Sequence, residues 1–334
     1  MKNNFGIYFL LACIFTLMQN SVLFKHATQK EKYRPVQTFS NARALAISIS
    51  LGEIFIIDEG NSTLVKLSKS GEFIASVGGF GIDREALDSP VDLVTDGMNV
   101  FVADRGNQRV AHFDRYLNFI ATLQNAPTLQ DNFSSSGSQQ TLWRPIGVTL
   151  SPQGDLYILD EAQRQVIRIN PFTFNTQERG LTAIQAFGNY NSGIGILQDP
   201  FRIQCSQTGK VFVSDVVKRK VLVFDLFGNY VTEIGDSLKL QPKSLGLGSV
   251  AALSDGSGDE KLLVLSSSGI HIYSTNQVYG FRQEGFISSS SLRELTNSEE
   301  AEDALIAFDK LYLLTKRSLY LIPLDQLPLN LSVR

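Results

Sequence analysis

The sequence predicts an all-β fold: a six-bladed β-propeller of four-stranded antiparallel blades, its ring closed by an N-terminal strand. Three observations lead there. Six short apolar segments recur, at 54–58, 100–104, 156–160, 211–215, 262–266 and 311–315. Their starts lie 46, 56, 55, 51 and 49 residues apart, and self-similarity at such a period marks a repeat architecture. Around them lie further short runs bounded by Gly, Asn, Asp or Pro, the sequence form of an antiparallel meander. Four such strands per unit make a propeller blade.

The units read in order. The first holds Ile-Phe-Ile-Ile-Asp at 54–58. The second runs from Pro-Val-Asp-Leu-Val at 90–94 through the turn Asp96-Gly97, the segment 100–104, a turn at 105–108, and strands at 109–114 and 118–123. The third repeats this at 145–149, 156–160, 165–169 and 183–187, the fourth at 200–204, 211–215, 221–225 and 230–234. These apolar runs are nearly continuous, as expected of strands buried on both faces. They are too short, and too rich in β-branched and aromatic residues, for helices. The sixth unit offers three strands, at 304–308, 310–315 and 318–322, before prolines at 323 and 328. Its fourth is expected from Pro-Val-Gln-Thr-Phe at 35–39, a closure that removes an open sheet edge.

Pro90-Val91-Asp92, the stretch from Val100 to Val110 with Asp104, Asn107 and Arg109, and the Gly-rich tracts at 77–81 and 186–195 resemble the NHL-repeat family. The pattern of Asp, Asn and Arg around the turn is complete in the second unit alone. The first keeps Asp58 and Asn61, the third Asp160 and Arg164, the fourth Asp215 and Arg219; the last two units have lost it. The resemblance covers residues 40–325 and implies a six-bladed propeller, placed here at 34–325 with a short tail at 326–334.

Two segments depart from the repeat. Residues 124–142 are a long Ser/Gly/Gln-rich connection, read as a disordered insertion. Residues 287–302 form a polar, acidic excursion with a short helix expected near 291–295.

At 43% hydrophobic and 19% charged residues the chain is a well-buried globular one. Its net charge of −3 gives no reason to expect nucleic-acid binding. Lys2 and the apolar run 5–18 read as a secretory leader within residues 1–24. Leu10-Leu11-Ala12-Cys13 also fits a lipobox, and 5–24 is long enough for an anchor. Each alternative places the mature domain outside the cytoplasm, secreted, periplasmic or on the cell envelope, with membrane contact only through that leader or lipidation at Cys13. Removal of the leader leaves Cys205 without an internal disulfide partner.

Chemistry is sparse. Of three histidines, His26 precedes the domain, and His112 and His271 fall in third strands, away from the axis. Three-histidine zinc binding, as in propeller lyases of the peptide-amidating type, cannot be assembled from two. A lactonase-like divalent site would need oxygen ligands on the innermost strands. Aligned on the prolines, those positions are Asp92, Gly147, Arg202 and Ser244, with Leu45 in the first unit; one carboxylate is too few for a hard cation. No metal, cofactor or nucleophile–base pair is therefore assigned. Asp92 and Arg202 are the candidate ligand-binding pair in the channel, with Arg43 and Arg144 at one mouth. The strand-end aspartates are expected to bond turn amides. The function expected is a non-catalytic binding or scaffold module for a protein or glycan partner. The alternatives are a metal-dependent hydrolase or lyase of the lactonase-like type, and a sensor component of an envelope assembly.

Overall fold

A computed structural model describes residues 33–124, 142–173, 185–235, 242–249, 260–275, 281–328 and 330–331. The expected leader, Cys13 and most of the 124–142 connection lie outside these residues. The chain forms six four-stranded antiparallel blades in a ring, as the repeat predicts. Blade 1 is β2 (Ala42–Ser48), β3 (Glu53–Asp58), β4 (Thr63–Ser68) and β5 (Phe73–Gly78). Blade 2 is β6 (Pro90–Thr95), β7 (Asn99–Asp104), β8 (Arg109–Asp114) and β9 (Phe119–Leu123). Blade 3 is β10 (Pro145–Leu150), β11 (Leu156–Asp160), β12 (Gln165–Ile169) and β13 (Gln185–Phe187). Blade 4 is β14 (Pro200–Cys205), β15 (Lys210–Asp215), β16 (Lys220–Asp225) and β17 (Tyr230–Ile234). Blade 5 is β18 (Pro242–Ser249), β19 (Glu260–Ser266), β20 (Gly269–Ser274) and β21 (Gln283–Ser288), followed by the helix α1 (Ser289–Leu295). Blade 6 is β22 (Ala301–Ala307), β23 (Lys310–Thr315) and β24 (Ser318–Pro323).

The fourth strand of blade 6 is β1 (Gln37–Thr38), which pairs antiparallel with β24. The amides of Val36 and Phe39 extend that ladder to the carbonyls of Leu319 and Arg317. The tail is more than an overhang: β25 (Asn330–Leu331) adds to the outer edge of blade 5 through β21. One seam differs from the rest. Between blades 5 and 6 the inner strands β18 and β22 pair in parallel at Gly248 and Ile306, fusing the two blades into one sheet.

The core explains the unbroken apolar runs. Six buried clusters occupy the six blade-to-blade interfaces. Successive residues of one strand serve opposite neighbours: Phe55 and Ile57 pack toward blade 2, Ile54 and Ile56 toward blade 6. Pleating sends alternate side chains to opposite faces, and here both faces are interior. Truncating one such anchor, Phe55→Ala, would cost about 3–5 kcal/mol.

Every inner strand carries the same irregularity. Its ladder with the second strand skips one residue, at Arg43, Val91, Ile146, Phe201, Lys243 and Glu302. A bulge of this kind bends the strand and re-aims the next side chain. The inner strands begin at what we term the upper face, beside the second-to-third-strand turns, and end at the lower face.

Candidate functional site

The residue after each bulge occupies one register position around the axis: Ala44, Asp92, Gly147, Arg202, Ser244 and Asp303. Two of these correct the sequence reading. In blade 1 the position belongs to Ala44, not Leu45, because Ala42 takes the place that proline marks in blades 2 to 5. In blade 6 Ala301 does the same, which hid Asp303. Counting back from the second-strand end would have found it: Asp303 lies 12 residues before Thr315, as Asp92 lies 12 before Asp104.

Arg202 spans the axis. Its backbone belongs to blade 4, and its Nη2 donates to the Arg43 carbonyl of blade 1, on the opposite side of the ring, at 3.3 Å. Nη1 donates to the Phe201 carbonyl at 3.4 Å, and the guanidinium lies 4.8 Å from the Phe201 ring centre. Its Nε has no hydrogen-bond partner although buried. Asp92 and Asp303 come from blades 2 and 6, which flank blade 1. Each carboxylate ties its own blade to the next: Asp92 Oδ2 accepts from the Val148 amide at 2.9 Å, and Asp303 Oδ2 from the Leu45 amide at 2.9 Å. Asp303 Oδ1 also accepts from the Ala304 amide at 2.9 Å and from the Ser244 hydroxyl. Arg202, Asp92 and Asp303 are 5%, 8% and 5% exposed.

Burial sets the ionisation of this layer, since it disfavours the charged form of a carboxyl. It pushes Asp92 up to about 7, aided by the negative charge of Asp303 and opposed by Arg202 and the Val148 amide. Asp303 is also raised by burial, against the pull of Ser244, Arg202 and the Leu45 and Ala304 amides.

Below this layer a channel of ≈ 600 Å³ runs to the lower face. Its wall mixes apolar residues such as Leu45, Leu93 and Ile203 with Thr149 and Gln204, and Glu260 stands at its mouth. Asp92, Arg202, Ser244 and Asp303 line its inner end; Arg43, Phe201 and Glu302, one step above, do not. Arg202 crosses the axis at this inner end and the layer around it is buried, so the channel is blind.

Of the residues singled out in the sequence, the structure brings Asp92 and Arg202 into one layer. Arg43 adjoins it through its carbonyl, while its guanidinium turns to Glu302 at 3.7 Å. Arg144 does not reach the channel. It is exposed on the upper face, 3.4 Å from Glu161, which Arg105 also grips at 2.9 Å. His112 is buried in a third strand, stacked 4.3 Å from Phe101 and 2.8 Å from Asn99 Oδ1. His271 sits among Ser266, Ser268 and Gln283. Among the described residues no three His, Cys, Asp or Glu side chains converge as a metal site, and no helix is long and apolar enough to cross a membrane.

The strand-end aspartates act structurally, holding the chain as it enters each inner strand. Asp58 accepts from the Ser40 and Asn41 amides, Asp104 from Asp88, Asp160 from Arg144, and Asp215 from Gln198 and Asp199.

No protein-family model matches the chain, and no curated protein sequence matches it. Solved structures do share its fold. A streptogramin B lyase superposes with TM-score 0.58 at 12% identity, over 90% of this chain and 97% of the other. The virginiamycin B lyase of Staphylococcus aureus gives 0.52 at 13%, over 85% and 81%. The WD40 repeats of RRP9 give 0.54 at 11%, over 87% and 97%. At such identities the likeness is one of fold: this chain is a six-bladed β-propeller, similar in architecture both to lyases and to WD40-repeat proteins.

Proposed function

We propose that the chain is a non-catalytic binding module, an NHL-type propeller working outside the cytoplasm, that holds a protein or glycan partner on its upper face. One observation carries this reading. Phe80, Ile82, Tyr190, Ile194 and Val217 stand 81%, 85%, 88%, 76% and 62% exposed. All lie in connections between blades or in second-to-third-strand turns, so all open on the same face. The lower-face turns expose Ile49, Met98, Tyr116 and Phe227 less fully, at 67%, 60%, 69% and 65%, so the four most exposed apolar groups among the described residues lie on the upper face. Such groups rimmed by charge are typical of interaction sites; Arg105, Glu161 and Arg144 supply such charge here. The donor set along the axis supports binding over catalysis. It offers two carboxylates, each held by backbone amides, and a guanidinium, where a lactonase-type metal would need six or more oxygens. The leader-like run at 5–18 supports an extracytoplasmic site.

The test is site-specific photocrosslinking from position 82 in cells that make the full chain. A discrete crosslinked partner, lost in a Phe80→Ser/Tyr190→Ser variant and absent when the crosslinker stands at Phe227 on the lower face, is expected. Equal crosslinking from both faces would overturn the assignment. Chelation by EDTA should leave Tm unchanged, and a fall would favour the metal-dependent alternative. Mass spectrometry of the mature N-terminus should show residues 1–24 removed; an intact leader on a protein recovered from cytoplasm would overturn the localisation.

A further inference from the structure

Arg202 is a buried cation with too few acceptors. A guanidinium carries five N–H donors. Here Nε has no partner, and the bonds from Nη1 and Nη2 are long, at 3.4 and 3.3 Å, with no ion pair to either carboxylate. Leaving a buried donor unmade costs the full desolvation of that group. Asp92 has the converse surplus: a carboxylate offers about four acceptor sites, and its side chain is engaged by the Val148 and Leu93 amides, leaving acceptor capacity over. Between Asp92 on blade 2 and Arg202 on blade 4 stands blade 3, which contributes Gly147. A methyl group there would lie 3.4 Å from Asp92 Oδ2 and 3.0 Å from Ile203. The pair sits at the end of a channel whose ≈ 600 Å³ falls within the usual range for small-ligand pockets.

The charge pattern selects the ligand. A carboxylate or phosphate would face Asp92 and Asp303, and an ammonium would face Arg202. A hydroxyl group both accepts and donates, so it can take the Arg202 Nε–H and give its own proton to Asp92. Thr149, Gln204 and Ser151 continue uncharged polar contacts down the wall, and Leu45, Leu93 and Ile203 offer apolar ribs for ring C–H groups. We infer that the blind channel binds a small, uncharged polyhydroxyl compound, a sugar or cyclitol, oriented by Arg202 and Asp92. This site is separate from the upper-face surface and does not depend on it.

Calorimetric titration of the full chain with D-glucose and myo-inositol, beside D-gluconate and D-glucosamine as charged counterparts, tests the inference. At least one neutral compound should bind saturably below about 50 mM, a range that covers a Kd of about 1 mM. Arg202→Gln should weaken it at least about tenfold, the loss expected for a hydrogen bond to a charged donor. Gly147→Ala, which keeps every polar group and crowds Asp92 and Ile203, should weaken it too; Phe80→Ser should leave it unchanged. Tighter binding of gluconate or glucosamine than of either neutral compound would overturn the proposal. So would no saturable binding by either neutral compound, or neutral binding that survives both channel variants.

Discussion

Asp104 shows what one residue does in this architecture. It is fully buried and accepts from the Asp88 amide at 2.7 Å, Asn107 Nδ2 at 2.8 Å and Arg109 Nε at 2.7 Å. Arg109 is itself buried and caps the Ala86 carbonyl. Asp104→Ala would strand that guanidinium and should cost about 3–5 kcal/mol in urea unfolding. Asp58→Ala, with no arginine to orphan, should cost about 1–3 kcal/mol. The sequence exposed this motif, because its three polar residues crowd one turn. Counting in the sequence already puts Arg164 and Arg219 one place short of the Arg109 position: they lie four residues after Asp160 and Asp215, where Arg109 lies five after Asp104. They take the left-handed turn conformation, φ 50° and 55°, and leave Gln165 and Lys220 to open the next strand. In blade 6 the acid has moved: Glu299, outside the strand, accepts from Ser318 and Tyr320 at 3.1 Å and from Thr315. Asp92 makes a prediction of opposite sign to a surface salt bridge. Its folded pKa of about 7 lies above its ordinary 3.8, so between those values the folded state holds more protons than the unfolded one. Stability should therefore fall as pH rises from about 4 to about 7, by at most about 4 kcal/mol at ~1.4 kcal/mol per pH unit. Asp92→Asn, measured by thermal melts across that range, should flatten this slope and be the more stable protein at pH 8.

At the scale of elements, the second and third strands of the blades were legible because they bury both faces, and registers were legible where proline marked the bulge. The axis positions of blades 1 and 6 lacked that mark, and the sequence misplaced one and missed the other. The N-terminal strand was found by counting strands in the last unit. Truncation through Ser40 removes β1, the Phe39 side chain packed on the blade 6–blade 1 core, and the Val36 contact over Gly71. It also bares the outer edge of β24. The truncated protein should melt well below the intact mature one and form higher oligomers in gel filtration; identical melting would remove β1 from the account of closure. The parallel seam between blades 5 and 6 left no trace in the sequence, since it depends on how closely two backbones approach. Gly246 permits it: a Cβ there would collide with the Ala304 carbonyl and lie 3.1 Å from Leu305. Gly246→Ala should cost about 1–3 kcal/mol, the usual cost of overpacking, in chemical denaturation.

As a whole the molecule rests on packing. Cys205, the one described cysteine, is free and buried against blades 3 and 4, and burial pushes its thiol up to about 12. A thiol so far from ionising is inert. Iodoacetamide at pH 8 should leave it unmodified in the native protein and alkylate it in urea; rapid native labelling would show that the ring opens locally. Arg202 has a consequence at this scale. A propeller axis is often a bore, but here a single side chain thrown from one wall to the other makes a bulkhead. Solvent and solutes on one side have no straight passage to the other, so the molecule has two chemically separate fronts. The partition hangs on two long hydrogen bonds, at 3.4 and 3.3 Å.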